Sequence, residues 1–215
     1  GVYVGNNVAD GLISGNLIHD TGSTSVYIYY ALRVEIADNH IYGGSTGIYV
    51  YNPRTWDERV IVSGNRVHDY SGTGISVDYD VEVTGNEVWG NATGINQSYG
   101  VNQGNRVWHN TTGIYQYGSQ ALDNVVWWNN EGIYSSSGVV AGNRVYGNST
   151  GIRETETQVR NNLIWDNTGI GILMQGGHSG QEDGAYNNTL VQRGGNAIQV
   201  DSNASYARVR DNIFE

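Results

Sequence analysis

Apolar residues recur along this chain with a period of two rather than 3.6. In Val81-Glu82-Val83-Thr84 and in Val34-Glu35-Ile36, apolar and polar side chains alternate. Such alternation predicts short β-strands with one buried face. Three positions are apolar again and again relative to a recurring Asn. Three places before it stand Ile36, Val62, Val83, Ala121, Val140, Val159 and Val209, with Asn102 as the polar exception. Two places after it stand Ile18, Ile41, Val67, Val88, Val107, Val126, Val145, Ile164 and Leu190. A Gly-Ile position supplies the third set: Val2, Ile48, Ile75, Ile95, Ile114, Ile133, Ile152 and Ile170.

From Gly85 to Ile170 the pattern is regular in blocks of 19 residues, each opening Gly/Asp-Asn-x-Val-aromatic. A second Asn follows five places after the first, and Gly-Ile three places later. The first Asn recurs at Asn16, Asn39, Asn65, Asn86, Asn105, Asn124, Asn143, Asn162, Asn188 and Asn212, in steps of 19 to 26 residues. A period near 20 residues marks a solenoid. Gly and Asn tolerate the left-handed backbone of tight corners. A stacked Asn is also placed to bond its counterpart about 4.8 Å away in the next coil. Crossovers between parallel strands are almost always right-handed. The pattern therefore predicts an all-β chain: one right-handed parallel β-helix, three-sided, of about ten coils, filling residues 1–215 as a single domain. Composition agrees, because 31 Gly, one Pro and one Phe suit the thin shared core of a solenoid.

The GN-x-V-x-x-N-x-x-GI pattern resembles the parallel β-helix repeats of the pectate-lyase-like superfamily. That resemblance implies polysaccharide lyases, alginate epimerases, glycoside hydrolases or surface proteins as functional classes. Several activities lose ground here. Lys, often the base of such lyases, is missing from this sequence, and all 11 cations are Arg. The Asp-Pro-His element of alginate epimerases is absent, as are the Asn-Thr-Asp and Gly-His-Gly elements of polygalacturonases.

The net charge of −10 disfavours nucleic-acid partners, whose phosphates an acidic surface repels. With no Cys there is neither a disulfide nor a thiolate metal site. No 18-residue apolar run and no charged-then-apolar leader is present. A start at Gly1 rather than Met predicts a processed protein or a segment of a longer one. Neither end carries an amphipathic helical cap, so the ends are expected to be covered by further sequence or by another subunit stacking head to tail.

Candidate chemistry lies on the outward parity. Three places after each ladder Asn stand His19, Tyr42, His68, Trp89, Trp108, Trp127, Tyr146 and Trp165, an expected exposed stripe at the inter-strand spacing. Tyr3, Tyr49, Tyr115 and Tyr134 form a patchier second row. Such stripes stabilise neighbouring strands, or they contact flat sugar faces. The pairs His19-Asp20 and His68-Asp69 occupy equivalent positions two coils apart with Tyr42 between, which suggests a carboxylate and imidazole acid–base set. Asp78, Asp80 and Glu82 share one parity, as a solvated strand face or an outward carboxylate cluster. Ca²⁺ is the ion such a cluster would take, and no cofactor is otherwise required. Insertions at 51–60 and 175–186 add Arg54, Trp56, Asp57, Glu58 and Arg59, and His178, Glu182 and Asp183, where functional loops belong. Sequons at Asn91, Asn96, Asn110, Asn148, Asn187 and Asn203 permit glycosylation.

The expectation is an extracellular or cell-surface structural or binding module, a stalk, adhesin or filament segment contacting polysaccharide through the stripe. The alternative is a secreted carbohydrate-active enzyme working near His19/Asp20/His68/Asp69 or the 51–60 insertion. An ice-binding face is a weaker third reading, because Thr93, Thr112, Thr150 and Thr168 sit at a corner rather than in an outward array.

Overall fold

A computed structural model describes residues 1–51, 59–176 and 183–215. It is a right-handed parallel β-helix without helices among the described residues. Every strand pairing is parallel, and one sheet of ten short strands runs the length of the molecule, one strand per coil. A regular coil has three strands, such as Glu82–Thr84, Glu87–Trp89 and Thr93–Ser98, followed one coil on by Val101–Gln103, Arg106–Trp108 and Thr112–Tyr117. Registry stacks like on like: Val88 on Val107 on Val126 on Val145, and Ile95 on Ile114 on Ile133 on Ile152. All of these are fully buried.

The recurring Asn forms an unbroken ladder. From Asn16 to Asn212 each Nδ2 donates to the next coil's Oδ1 at 2.9–3.1 Å. Each Oδ1 also accepts the preceding Asn's backbone N–H. Buried amides are thereby satisfied, as they must be in a thin core. A second ladder joins Asn91, Asn110, Asn129, Asn148 and Asn167 at 3.0–3.1 Å. Three sequons therefore fall on buried ladder residues, Asn91, Asn110 and Asn148, and are closed to glycosylation. The Gly before each Ile has a steric cause: a Cβ on Gly94 would lie 2.5 Å from the Gly113 carbonyl oxygen.

The early coils differ. His40–Tyr51 and Arg66–Asp78 run through the corner as strands of 12 and 13 residues instead of breaking in two. At the second-ladder position stands Tyr70, whose ring is buried and lies against Gly44 and Gly47. Its hydroxyl is 2.6 Å from Ser25 Oγ, and its N–H donates to Asn91 Oδ1, starting the second ladder.

One expectation about the core needs correction. Ile170 does not take the inward Gly-Ile place. Ile152 pairs with Ile172, and Ile170 pairs with Thr150, because the doubled Gly-Ile at 169–172 offers two frames and the longer corner selects the second. One inward column also turns polar midway, as Val50 and Val77 give way to Gln97, Gln116, Ser135 and Glu154 before Met174, all fully buried or nearly so. Gln116 donates to Ser135 Oγ at 2.9 Å, Ser135 meets Thr157 Oγ1 at 3.1 Å, and the Thr157 N–H donates to Glu154.

Candidate functional site

The Asn ladder sets the register of everything outside it. Strand pairing places His19, Tyr42, His68, Trp89, Trp108 and Trp127 in one outward column that continues through Tyr146 to Trp165. The eight rings stack in parallel, with centroids 4.2–6.0 Å apart and planes within 7–12°. The column points outward as expected, but most of it is not freely exposed. Each ring's faces are taken by its neighbours, leaving edges to solvent, and Trp127 is only 8% exposed. Beside it the outward register reads His40, Arg66, Glu87, Arg106, Val125 and Arg144. Glu87 lies between Arg66 (3.3 Å) and Arg106 (3.7 Å), and the Arg106 guanidinium stands 5.8 Å from the Trp127 ring centre.

The two His-Asp pairs form at the N-terminal end of this column. His19 Nδ1 lies 3.0 Å from Asp20, and His68 Nδ1 lies 2.8 Å from Asp69. Both aspartates have a left-handed backbone, which turns each carboxylate back to its own preceding imidazole. Each carboxylate is thus engaged by a His instead of facing the other Asp as a free acid–base partner. Sequence reasoning missed His40, whose Nε2 lies 2.8 Å from His68 Nε2. Asp69, His68 and His40 therefore form a hydrogen-bonded chain. Desolvation, then His68 and Arg66, holds the His40 pKa below its ordinary value. His40 carries the column's outward parity two places before Tyr42, so alternation alone could have found it.

The Asp78, Asp80 and Glu82 expectation fails in its geometry. Tyr79 and Asp80 both have positive φ, so the chain turns a corner between Asp78 and Glu82 and the shared parity is lost. Arg59 lies 3.8 Å from Asp80 and 3.6 Å from Glu82. Among the described residues no group of three or more His, Asp or Glu is placed to hold a metal ion. Arg54, Trp56, Asp57, Glu58, His178 and Glu182 lie outside the described residues.

A second aromatic array covers the adjacent face of the first six coils. Tyr3, Tyr27 and Tyr49 stack in one column and Tyr29 and Tyr51 in the next. Tyr30, Tyr79 and Tyr99 sit at the corner with positive φ. Contacts run without a break from Tyr3 to Tyr117. Sequence reasoning named only Tyr3 and Tyr49 of this belt; Tyr27, Tyr29, Tyr51 and Tyr117 follow the strand alternation and could have been found by it, whereas the corner residues Tyr30, Tyr79 and Tyr99 fall outside it.

The family model described as right-handed beta helix region matches residues 1–112, and the model described as periplasmic copper-binding protein (NosD) matches residues 103–215. No curated protein sequence matches. Among solved structures, a double mutant of the periplasmic alginate epimerase AlgG is similar at 16% identity and TM-score 0.65, over 99% of this chain and 70% of that one. The enzymatically active domain of bacteriophage CBA120 tailspike protein 2 is similar at 14% identity and TM-score 0.61, over 100% of this chain and 42% of that one. The A-module of Azotobacter vinelandii mannuronan C-5 epimerase AlgE4 is similar at 17% identity and TM-score 0.56, over 100% and 79%. At these identities the likeness is one of fold, and this chain spans less than half of the tailspike domain.

Proposed function

The chain belongs to the right-handed β-helix family, its second half matching the NosD model, and from that premise we propose that it is a rigid extracellular or periplasmic module that holds polysaccharide along its outward aromatic faces. The observation that carries this reading is the pair of aromatic arrays on adjacent outward faces: the column from Tyr42 to Trp165, which offers ring edges flanked by Arg66, Arg106 and Arg144, and the tyrosine contacts from Tyr3 to Tyr117. A β-helix does not bend easily, so its outward groups keep a fixed repeat of about 4.8 Å, a pre-organised surface for a repeating chain. The neighbours' names support the ligand class: alginate epimerase, mannuronan epimerase, and the active domain of a tailspike. No helix among the described residues is long and apolar enough to cross a membrane. The test is affinity electrophoresis through gels containing mannuronan or a neutral glucan. Retardation by at least one polymer is expected, and unchanged mobility in both would overturn the reading.

A second reading, a carbohydrate-active enzyme, is favoured by one observation, the Asp69–His68–His40 chain. In it Asp69 would fix the His68 tautomer and His68 would orient His40 as a base. Its test is product release from the same polymers, with His40→Gln abolishing it. Copper, which the NosD description names, does not fit the described part of 103–215. That stretch has no Cys, its Met174 is fully buried, and its one described His, His109, packs against Trp128. No step is assigned to a metal.

A further inference from the structure

We propose that the tyrosine belt of the first six coils is a binding surface for a neutral polysaccharide chain. This rests on the polysaccharide reading above and narrows it to one face and one ligand class. Sugar rings stack through their C–H bonds on the face of an aromatic ring, so what matters is which faces are open. In the tryptophan column they are closed by parallel stacking. In the belt the corner residues break that order. Tyr51 and Tyr79 meet at 83°, Tyr99 and Tyr117 at 90°, and Tyr30 and Tyr51 at 62°. A perpendicular pair covers at most one ring face where a parallel stack covers two, although Tyr79 and Tyr99 lie parallel at 11° and take one face of each other. The belt is also open to solvent, with Tyr99 at 48% and Tyr3 at 67% exposure.

The hydroxyl matters as much as the ring. The chain holds 16 Tyr and one Phe, although Phe would stack between coils equally well. Tyr offers apolar area with few rotors and a polar tip for a hydroxyl-rich ligand. These phenols stay protonated: a hydrogen bond with Tyr117 raises the pKa of Tyr99, and interaction with Tyr30 raises that of Tyr51.

Charge selects the ligand. Asp78 pairs in register with Tyr51 and has no ion pair among the described residues. Beside Tyr79, one Arg59 is shared between Asp80 and Glu82, which leaves the described residues of this corner net negative. Carboxylates accept hydrogen bonds from sugar hydroxyls but repel a polyuronate, and they equally repel an anionic membrane surface.

The experiment is isothermal titration of the intact chain with cellohexaose, mannohexaose and xylohexaose, and with hexagalacturonate as the charged comparison. At least one neutral hexasaccharide should bind, with hexagalacturonate weaker. Tyr99→Ser should weaken binding about tenfold, the loss of roughly one aromatic contact. Tyr99→Phe should keep most of it, and Trp165→Ala should weaken it less than Tyr99→Ser does. If binding survives Tyr99→Ser but is lost in Trp165→Ala, or if hexagalacturonate binds more tightly than every neutral sugar, the belt proposal falls while the polysaccharide reading stands. If none of the four binds and the gels show no retardation, both fall. Folding of each variant is checked by its circular dichroism, and Tyr79→Ser replaces any variant that does not fold.

Discussion

The regular coils and the early coils use the same aromatic chemistry in opposite ways. In the regular coils two Asn ladders run side by side, every corner breaks at the same residue, and the rings of the tryptophan column lie within 7–12° of parallel. In the early coils one ladder is missing, two strands run through a corner, Tyr70 fills the space within, and the outer tyrosines meet at angles up to 83°, an arrangement that Tyr99 and Tyr117 carry at 90° into the first regular coils. Backbone conformation makes the difference. Strand residues stack in parallel, as Tyr115 and Tyr134 do at 14°, and the corner residues Tyr79 and Tyr99 stack on each other at 11°; rings cross where a left-handed corner residue meets a strand residue, as Tyr79 meets Tyr51 and Tyr99 meets Tyr117. Trp128 shows the same rule inside the regular region, with φ of 55° and its ring tilted 65° from Trp127. Repetition makes a ladder that spends ring faces on stability; irregularity leaves ring faces for something else.

The comparison breaks first at the second ladder, which only the regular coils possess. Asn110→Ala removes the acceptor for the Asn91 N–H and Nδ2 and the donor to the Trp108 carbonyl and Asn129 Oδ1. The expected cost is about 4 kcal/mol, because buried partners are left unpaired, and urea unfolding midpoints measure it. Trp108→Ala removes a ring stacked on both faces and should cost about 2 to 3 kcal/mol, less than a wholly buried aromatic because its edge is wet. In the early coils, Tyr70→Phe keeps the packing and loses the bond to Ser25, an expected cost of about 1 kcal/mol. That variant also removes a phenol whose pKa burial pushes up to about 12. Tyr99→Ser should shift stability by less than about 1 kcal/mol. A Tyr99 cost equal to that of Trp108 would erase the proposed division between the two arrays.

The smallest expected effect is a pH dependence within the early coils. His40 has a folded pKa below its ordinary 6.5, from desolvation first and then from His68 and Arg66. The unfolded chain therefore binds the proton more readily. Stability is intact above about 6.5 and falls as pH drops from there through the folded value. His40→Gln should flatten that slope, which unfolding midpoints between pH 7.5 and 5 would register.

What could be read from the sequence follows the same division. The ladder Asn, the inward Val and Ile, and the outward Trp were legible because 19-residue repetition aligns chemically like residues, and the stacked coils keep them aligned. Parity carried the reading only as far as the next corner. It failed for Asp78, Asp80 and Glu82 because two positive-φ residues reset it, and for Ile170 because a doubled Gly-Ile offers two frames. Ring angles could not be read at all. They depend on φ at Tyr30, Tyr79 and Tyr99, and the repeat has no signature for that. The buried Gln97, Gln116, Ser135 and Glu154 column escaped because each polar residue alone looks like an exception, and only their register shows that they form one inward row.

The central claim is that ladder rings hold coils together while belt rings are free to meet a ligand. Aromatic NMR spectra of the chain, labelled at Tyr and Trp and titrated with whichever neutral hexasaccharide binds, test this directly. The account predicts that signals of Tyr79, Tyr99 and Tyr117 shift with ligand while those of Trp89, Trp108 and Trp127 stay in place. Movement of the tryptophan signals alone, with the tyrosines silent, would contradict it.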